Sequence, residues 1–375
     1  MSGHTLANPF HRQLDARIAG LGGMWNAHLH LDRAGTLDEV YLQDAGHRIL
    51  ETSYISLLKK HSLIRDLHRG PAYEKQDLVE RVNTYVDILI ATHTTHADTL
   101  VDVTADGVDL SALETLLAIK RERSAEIELR VGAYSPLGFT DSEPERWELF
   151  ERGAERADFI GCLPEADDVR DYPNNIGFYE HCRRVLELSK RVGKLVHVHT
   201  DQRNEPSECG TEQLIQAVRE YGGPTSPSGE PMLWAIHIIS PSTYDEGRFE
   251  KLLAGLVECN IGVVCCPSAA LGMRQLRPLA TPTYNSIPRV LEMVAAGVHV
   301  RLGSDNIADI CSPSTTADLR DEVFILSAAL RFYHVGVLAK LACGAKLDAE
   351  ERQLVRDHLD RNDAETEKVI DRLSQ

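Results

Sequence analysis

Positive charge in clusters, long apolar runs and paired cysteines are all missing from this 375-residue chain. Its 40 basic residues are scattered among 57 acidic ones, for a formal net charge of −17. Nothing concentrates Lys and Arg to neutralise phosphates, which excludes nucleic-acid and anionic-membrane partners. No stretch approaches the roughly eighteen apolar residues of a transmembrane helix. The opening segment lacks a basic stretch ahead of an apolar core, so no secretory signal is expected. The eight cysteines form no CxxC, and Cys265-Cys266 lies inside an apolar run. Reduced, buried thiols in a cytoplasmic protein are the expectation, with no structural zinc finger. Disorder is excluded too, because apolar runs recur along the chain.

What is present is a rhythm. Short apolar runs occur at 24–28, 99–103, 127–131, 159–163, 195–199, 233–237, 261–265 and 298–302. Runs bounded by Gly, Pro or polar residues read as strands buried on both faces. Between them, 110–120, 178–192, 213–219 and 286–296 carry apolar residues at three- and four-residue spacing, and Gly297 is a natural helix stop. Strand–helix alternation eight times over predicts a (β/α)8 TIM barrel rather than an open sheet. The absence of a glycine-rich phosphate loop after the first strand agrees. Residues 1–375 are expected to form one barrel domain. The long gap after the first strand makes 33–75 a long first βα loop, helical at 54–67, over the C-terminal face. Residues 347–375 read as a charged helical extension.

The strand ends carry the chemistry. The first strand ends in His28-Leu29-His30, and alternation points both rings to one side. The fifth ends in His199, the sixth in His237, and Gly303-Ser304-Asp305 follows the eighth. In a barrel these converge on one mouth. Imidazole nitrogen and carboxylate oxygen suit Zn²⁺ or Fe²⁺, and incomplete protein coordination leaves room for water. Any single strand-end histidine could equally be an ordinary surface or core residue, as is expected of His93, His96, His197 and His299. The joint pattern is what argues for a metal.

Four motifs in order, Asn26-Ala27-His28-Leu29-His30-Leu31-Asp32-Arg33, Val198-His199-Thr200-Asp201-Gln202, Ala235-Ile236-His237 and Gly303-Ser304-Asp305-Asn306-Ile307-Ala308-Asp309, resemble the amidohydrolase superfamily and its cytosine deaminase-like branch. The resemblance covers about residues 24–335 and softens around Val101-Asp102-Val103, Gly161-Cys162-Leu163-Pro164 and Cys266-Pro267-Ser268. It implies that His28, His30, His199 and Asp305 hold one divalent metal, zinc ahead of iron. It further implies that His237 orients the attacking water and stabilises the oxyanion, while Asp305 moves a proton from water to the leaving nitrogen. The fourth strand ends in Gly161-Cys162-Leu163-Pro164-Glu165. No Lys is there to bridge two metals, and Glu165 is the only local substitute.

The chain departs from that branch in three ways. The β-sandwich that amidohydrolases often add is missing, Asn26 stands where an acid is common, and Gln202 stands where cytosine deaminases resemble one another in a Glu. A Glu can protonate a ring nitrogen; an amide cannot, but it can hold a carbonyl or an N–H. Gln202 could also be a loop residue bonded to backbone. Arg33 could clamp a substrate carboxylate or carbonyl, or pair with Asp32. Asp201, Gln202, Asp102 and Asn306 complete the candidate substrate contacts. The expected activity is hydrolysis of a C–N bond in a small, polar, cyclic nitrogenous compound. The alternatives are a cytosine- or triazine-type aminohydrolase releasing ammonia, a phosphoesterase, and a non-catalytic metal-binding barrel. Homo-oligomerisation is compatible with the resemblance.

Overall fold

The computed structural model describes residues 8–41, 50, 55, 57–273 and 286–373. Eight parallel strands follow one another around a barrel in sequence order. They are β1 (Met24–Leu29), β2 (Thr94–Asp102), β3 (Glu128–Tyr134), β4 (Phe159–Cys162), β5 (Val196–Thr200), β6 (Leu233–His237), β7 (Ile261–Cys265) and β8 (Val300–Leu302). A parallel bridge between Leu29 and Asp305 joins the last strand's extension to the first. The strands fall where the apolar runs stand, because a strand covered on both faces has no solvent side to encode. β2 is the exception: it begins at Thr94, and its polar start, Thr-Thr-His-Ala-Asp, hides it from a hydrophobic pattern.

Helices wrap the outside. Ser111–Glu122, Phe178–Val192 and Gly210–Tyr221 match the expected patterns. The expected helix at 286–296 is shorter, Val290–Ala296. Pro288 has no N–H to donate and disfavours helical backbone before it, and Ser286 stands at φ 57°. In the first βα connection, helices Leu57–Ser62 and Ile64–Arg69 are separated by Leu63, and helix Lys75–Ala91 follows. Residues 42–49, 51–54 and 56 of that connection lie outside the described residues. At the other end, helix Ala349–Leu373 packs against Val290–Ala296, with Arg356 Nη1 donating to the Ala295 carbonyl at 2.7 Å.

The barrel floor is closed by aromatic rings and cations. The Arg301 guanidinium lies 4.1 Å from the ring centres of both Trp25 and Trp234, a contact strengthened where water is excluded. Above it, Leu100 and Phe159 fill the centre. They fit only because neighbouring strands carry glycine: a Cβ on Gly132 would stand 2.6 Å from the Phe159 ring. That filled layer is the base on which the histidines of the upper end rest.

Candidate metal centre

Four ligand-type side chains meet at the C-terminal end of the barrel: His28 and His30 from β1 and its end, His199 from β5, and Asp305 just past β8. All are buried, and one potential ligand atom from each lies within 4.8 Å of the others. Asp305 Oδ1 is 3.5 Å from His30 Nε2 and 3.6 Å from His28 Nε2. Among the described residues, His28 Nε2 and His30 Nδ1 are buried without a hydrogen-bond partner. Such orphaned lone pairs are costly in a dry interior unless a ligand takes them up. Burial drives the His30 and His199 rings well below the usual histidine range, with further lowering from neighbouring charges. Neutral imidazoles are the form that binds metal. The residues therefore fit a single divalent cation, and their nitrogen and oxygen donors suit zinc before iron.

The next ring of contacts orients these groups. His199 Nδ1 lies 3.0 Å from the Cys162 carbonyl, which only accepts, so Nδ1 carries the proton and Nε2 keeps its lone pair. His28 Nδ1 is 3.5 Å from His197 Nδ1. His197 is thus a buried neighbour of the cluster rather than a remote core residue. Asn26 donates to Ser304 Oγ at 2.8 Å and accepts from Ser304 N at 3.0 Å, tying the strand that carries two histidines to the turn that carries Asp305. An acid in place of Asn26 could accept but not donate in that pair.

His237, at the end of β6, sits apart from the four. Its Nε2 is 4.0 Å from Asp305 Oδ2, and both ring nitrogens are buried without a hydrogen-bond partner among the described residues. Burial takes its pKa down to about 4 against the opposing Asp305 charge, so the ring is neutral and holds one N–H to donate. For Asp305 itself burial opposes ionisation, but His28 and the other surrounding imidazoles outweigh it and hold the carboxyl below its ordinary range. His237 and Asp305 both adopt left-handed backbone, at φ 78° and 58°. That conformation is unfavourable for non-glycine residues and concentrates where side chains must be aimed.

The cluster opens into an inner cavity of about 20 Å³, room for roughly one water. His30, Arg33, His199, Gln202, His237, Asp305 and Asn306 all line it. It shares Leu57, His61, Met273, Cys311 and Ser312 with an outer cavity of about 670 Å³, which Glu165 and Arg203 also line. Asp102 and Asp201 do not line either one. Asp201 accepts from the amides of Gly210 and Thr211 at 2.6 and 2.9 Å and caps the helix that begins there. Asp102 accepts from His68 Nε2 at 2.9 Å and from Tyr73 Oη at 3.0 Å. Arg33 leans towards Asp102, at 3.9 Å, whereas Asp32 is taken by Tyr73 Oη and the Asp102 amide.

Sequence reasoning passed over His61 and Tyr134 in this wall. His61 comes from a short helix with no motif, and Tyr134 lies three residues beyond the apolar run that marks β3. Glu165 is outside the ligand group; its carboxylate faces Gln202 instead.

Gly303 supplies a test of how tightly the centre is packed. A Cβ there would lie 2.7 Å from the His28 carbonyl oxygen and 2.9 Å from its Cβ and nitrogen. Backbone cannot swing aside as a side chain does. Gly303→Ala is expected to destabilise by about 1–3 kcal/mol, as overpacking does, and to displace His28. Urea unfolding and metal content after dialysis against a chelator measure both effects; parental values in each would show that the strand has slack.

A parallel barrel with histidine and carboxylate ligands at its C-terminal mouth defines a metal-dependent hydrolase of the TIM-barrel class. No protein-family model matches the chain. An uncharacterized protein of Haemophilus influenzae is 28% identical over 276 residues, 73% of this chain and 91% of the relative. The structure of 5-methylcytosine deaminase from Klebsiella pneumoniae liganded with 5-fluorocytosine is similar at a TM-score of 0.68 and 25% identity, over 84% of this chain and 69% of that one. N-isopropylammelide isopropylaminohydrolase from Burkholderia multivorans shares the fold at a TM-score of 0.61 and 20% identity, over 87% and 78% of the two chains. In its fold and its buried histidine–carboxylate set the chain is similar to enzymes of the cytosine deaminase-like branch of the amidohydrolase superfamily. Among the described residues, no helix is long and apolar enough to cross a membrane.

Proposed function

We propose that this protein hydrolyses a C–N bond in a small oxygenated heteroaromatic ring, a pyrimidine or triazine bearing an exocyclic amine. The observation that carries the reading is the buried set of His28, His30, His199 and Asp305, with unpartnered His237 beside it. A divalent cation held there would bring the pKa of a bound water to about 7. The chain's own groups do the rest. Asp305 takes a proton from the attacking water as its oxygen bonds to the ring carbon. His237 donates its N–H to the attacking oxygen and holds it against the ring carbon, while the electron pair of the ring C=N bond moves onto the ring nitrogen. Asp305 then delivers the proton to the departing nitrogen, the C–N bond breaks, and the second water proton stays with the hydroxylated ring. Arg33, Gln202 and Asn306, on the cavity wall, hold the ring's polar edge. The whole chain serves as one barrel unit in this reading.

The relatives support that substrate class because one acts on a methylated cytosine and another on N-isopropylammelide. A screen of amino-pyrimidines and amino-triazines on metal-replete protein, reading ammonia and alkylamine release together, tests the reading. Release of either supports it and says which amine leaves; release of neither across the panel overturns it. Desalted protein is expected to hold close to one zinc per chain, because the cluster provides one set of four donors. Metal analysis checks this, and two equivalents would mean that Glu165 or another group forms a second site.

A further inference from the structure

Gln202 and Glu165 come from different strand ends, and the structure joins them. Gln202 Nε2 donates to Glu165 Oε2 at 2.8 Å, and the Gln202 backbone N–H donates to Glu165 Oε1 at 3.3 Å. Both carboxylate oxygens thus face one residue. Both residues are buried, yet Gln202 lines the inner cavity and Glu165 the outer one. An amide has a donor end and an acceptor end of nearly the same shape, so a neighbour must decide which way it turns. An ionised carboxylate only accepts and therefore takes the nitrogen. Among the described residues no intramolecular partner engages Gln202 Oε1.

We propose that Glu165 is a positioning residue that sets substrate choice: it holds the Gln202 amide nitrogen, turns the amide carbonyl towards the inner cavity, and so selects a ring that presents an N–H donor at that edge. This rests on the reading of the site as a C–N hydrolase of nitrogenous rings, and it narrows that reading. Where a Glu at position 202 would offer a proton to a bare ring nitrogen, this chain offers a fixed acceptor to a lactam-type N–H. A ring with a lone pair at that position would meet the carbonyl lone pair and lose the hydrogen bond.

The device depends on Glu165 being ionised. Burial raises its pKa to about 7, with the Asp201 charge adding and Arg203 opposing. The other groups around it are engaged. Asp201 is taken by backbone amides, Arg203 by Asp171 at 2.7 Å, and Glu208 by the Arg203 amide at 2.8 Å. His181, on the helix packed behind, is held by Asp167 at 2.6 Å. His61, across the outer cavity, is lowered to about 4 by burial and the Arg33 charge, so it is neutral throughout. As pH falls through about 7, Glu165 gains a proton and becomes a donor, and the amide is free to turn its nitrogen inwards.

The test uses the zinc-loaded full chain with 15N-labelled glutamine side chains, the Gln202 signal being identified by its loss in Gln202→Leu. The Gln202 side-chain amide resonance should titrate with a midpoint of about 7 in the parent and should not titrate in Glu165→Gln. Calorimetry with uracil and 1,3-dimethyluracil then reads the selection. At pH 8 the parent should prefer uracil by about tenfold or more, since a site built to bind an N–H penalises its loss, and Glu165→Gln should lose most of that preference. A Gln202 signal that does not move with pH, an unchanged titration in Glu165→Gln, or equal binding of the two rings by the parent each overturns the proposal. None of these readouts needs turnover, so a substrate screen that fails leaves them free to succeed or fail separately.

Discussion

His199→Ala protein is expected to lose its metal on desalting, whereas His237→Ala keeps it and loses turnover by about 10²–10³-fold. The contrast follows from where the rings stand. His199 is one of the four groups whose ligand atoms lie within 4.8 Å of each other, and its Nδ1 is already committed to the Cys162 carbonyl. Removing it takes away a quarter of the donor set and leaves His28 and His30 facing an emptied wall. His237 stands outside that group, 4.0 Å from Asp305, and its assigned contact to the attacking oxygen tightens only as that oxygen bonds to the ring carbon. Loss of one such donor costs about 2.7–4 kcal/mol of transition-state stabilisation. Because that contact is made in the transition state, kcat should fall and KM should change little. Metal analysis beside steady-state kinetics decides it. Equal metal loss in both variants would make His237 a permanent ligand.

Asp305→Asn is expected to be more damaging to turnover than His237→Ala, with kcat down by about 10³-fold or more and folding intact. An amide keeps the shape and can still meet Asn306 Nδ2, which lies 3.0 Å from Asp305 Oδ1. It cannot take a proton from water or return one to a leaving nitrogen, and general acid–base catalysis of that kind contributes about 10²–10⁴-fold. It is also a neutral, weaker ligand, so affinity for the metal should fall as well. Assaying the variant at saturating zinc separates the two losses. Full recovery of rate under those conditions would confine Asp305 to metal binding and pass the proton transfers to another group. Circular dichroism guards against a folding explanation, since the Asp305 amide bonds the His28 carbonyl at 2.9 Å through backbone alone.

The barrel was legible in the amino-acid order because each strand, covered on both faces, must be apolar nearly throughout, and that constraint is local. His28, His30, His199, His237 and Asp305 could be read for a related reason. Each sits at or just beyond the end of such a run, and a barrel brings all those ends to one mouth. Pattern failed where polarity or backbone chemistry intervened, at the polar start of β2 and at Pro288.

Which way the remaining polar groups turn was settled by tertiary contacts alone. Asp201 and Gln202 are adjacent in the chain, yet one caps a helix and the other lines the cavity, since successive residues beyond a strand face different neighbours. The partner of Gln202 is 37 residues away, and Arg33 leans to Asp102 across the barrel wall rather than to adjacent Asp32. No spacing rule encodes such pairs, because they depend on burial and on which donor meets which acceptor once the strands have closed.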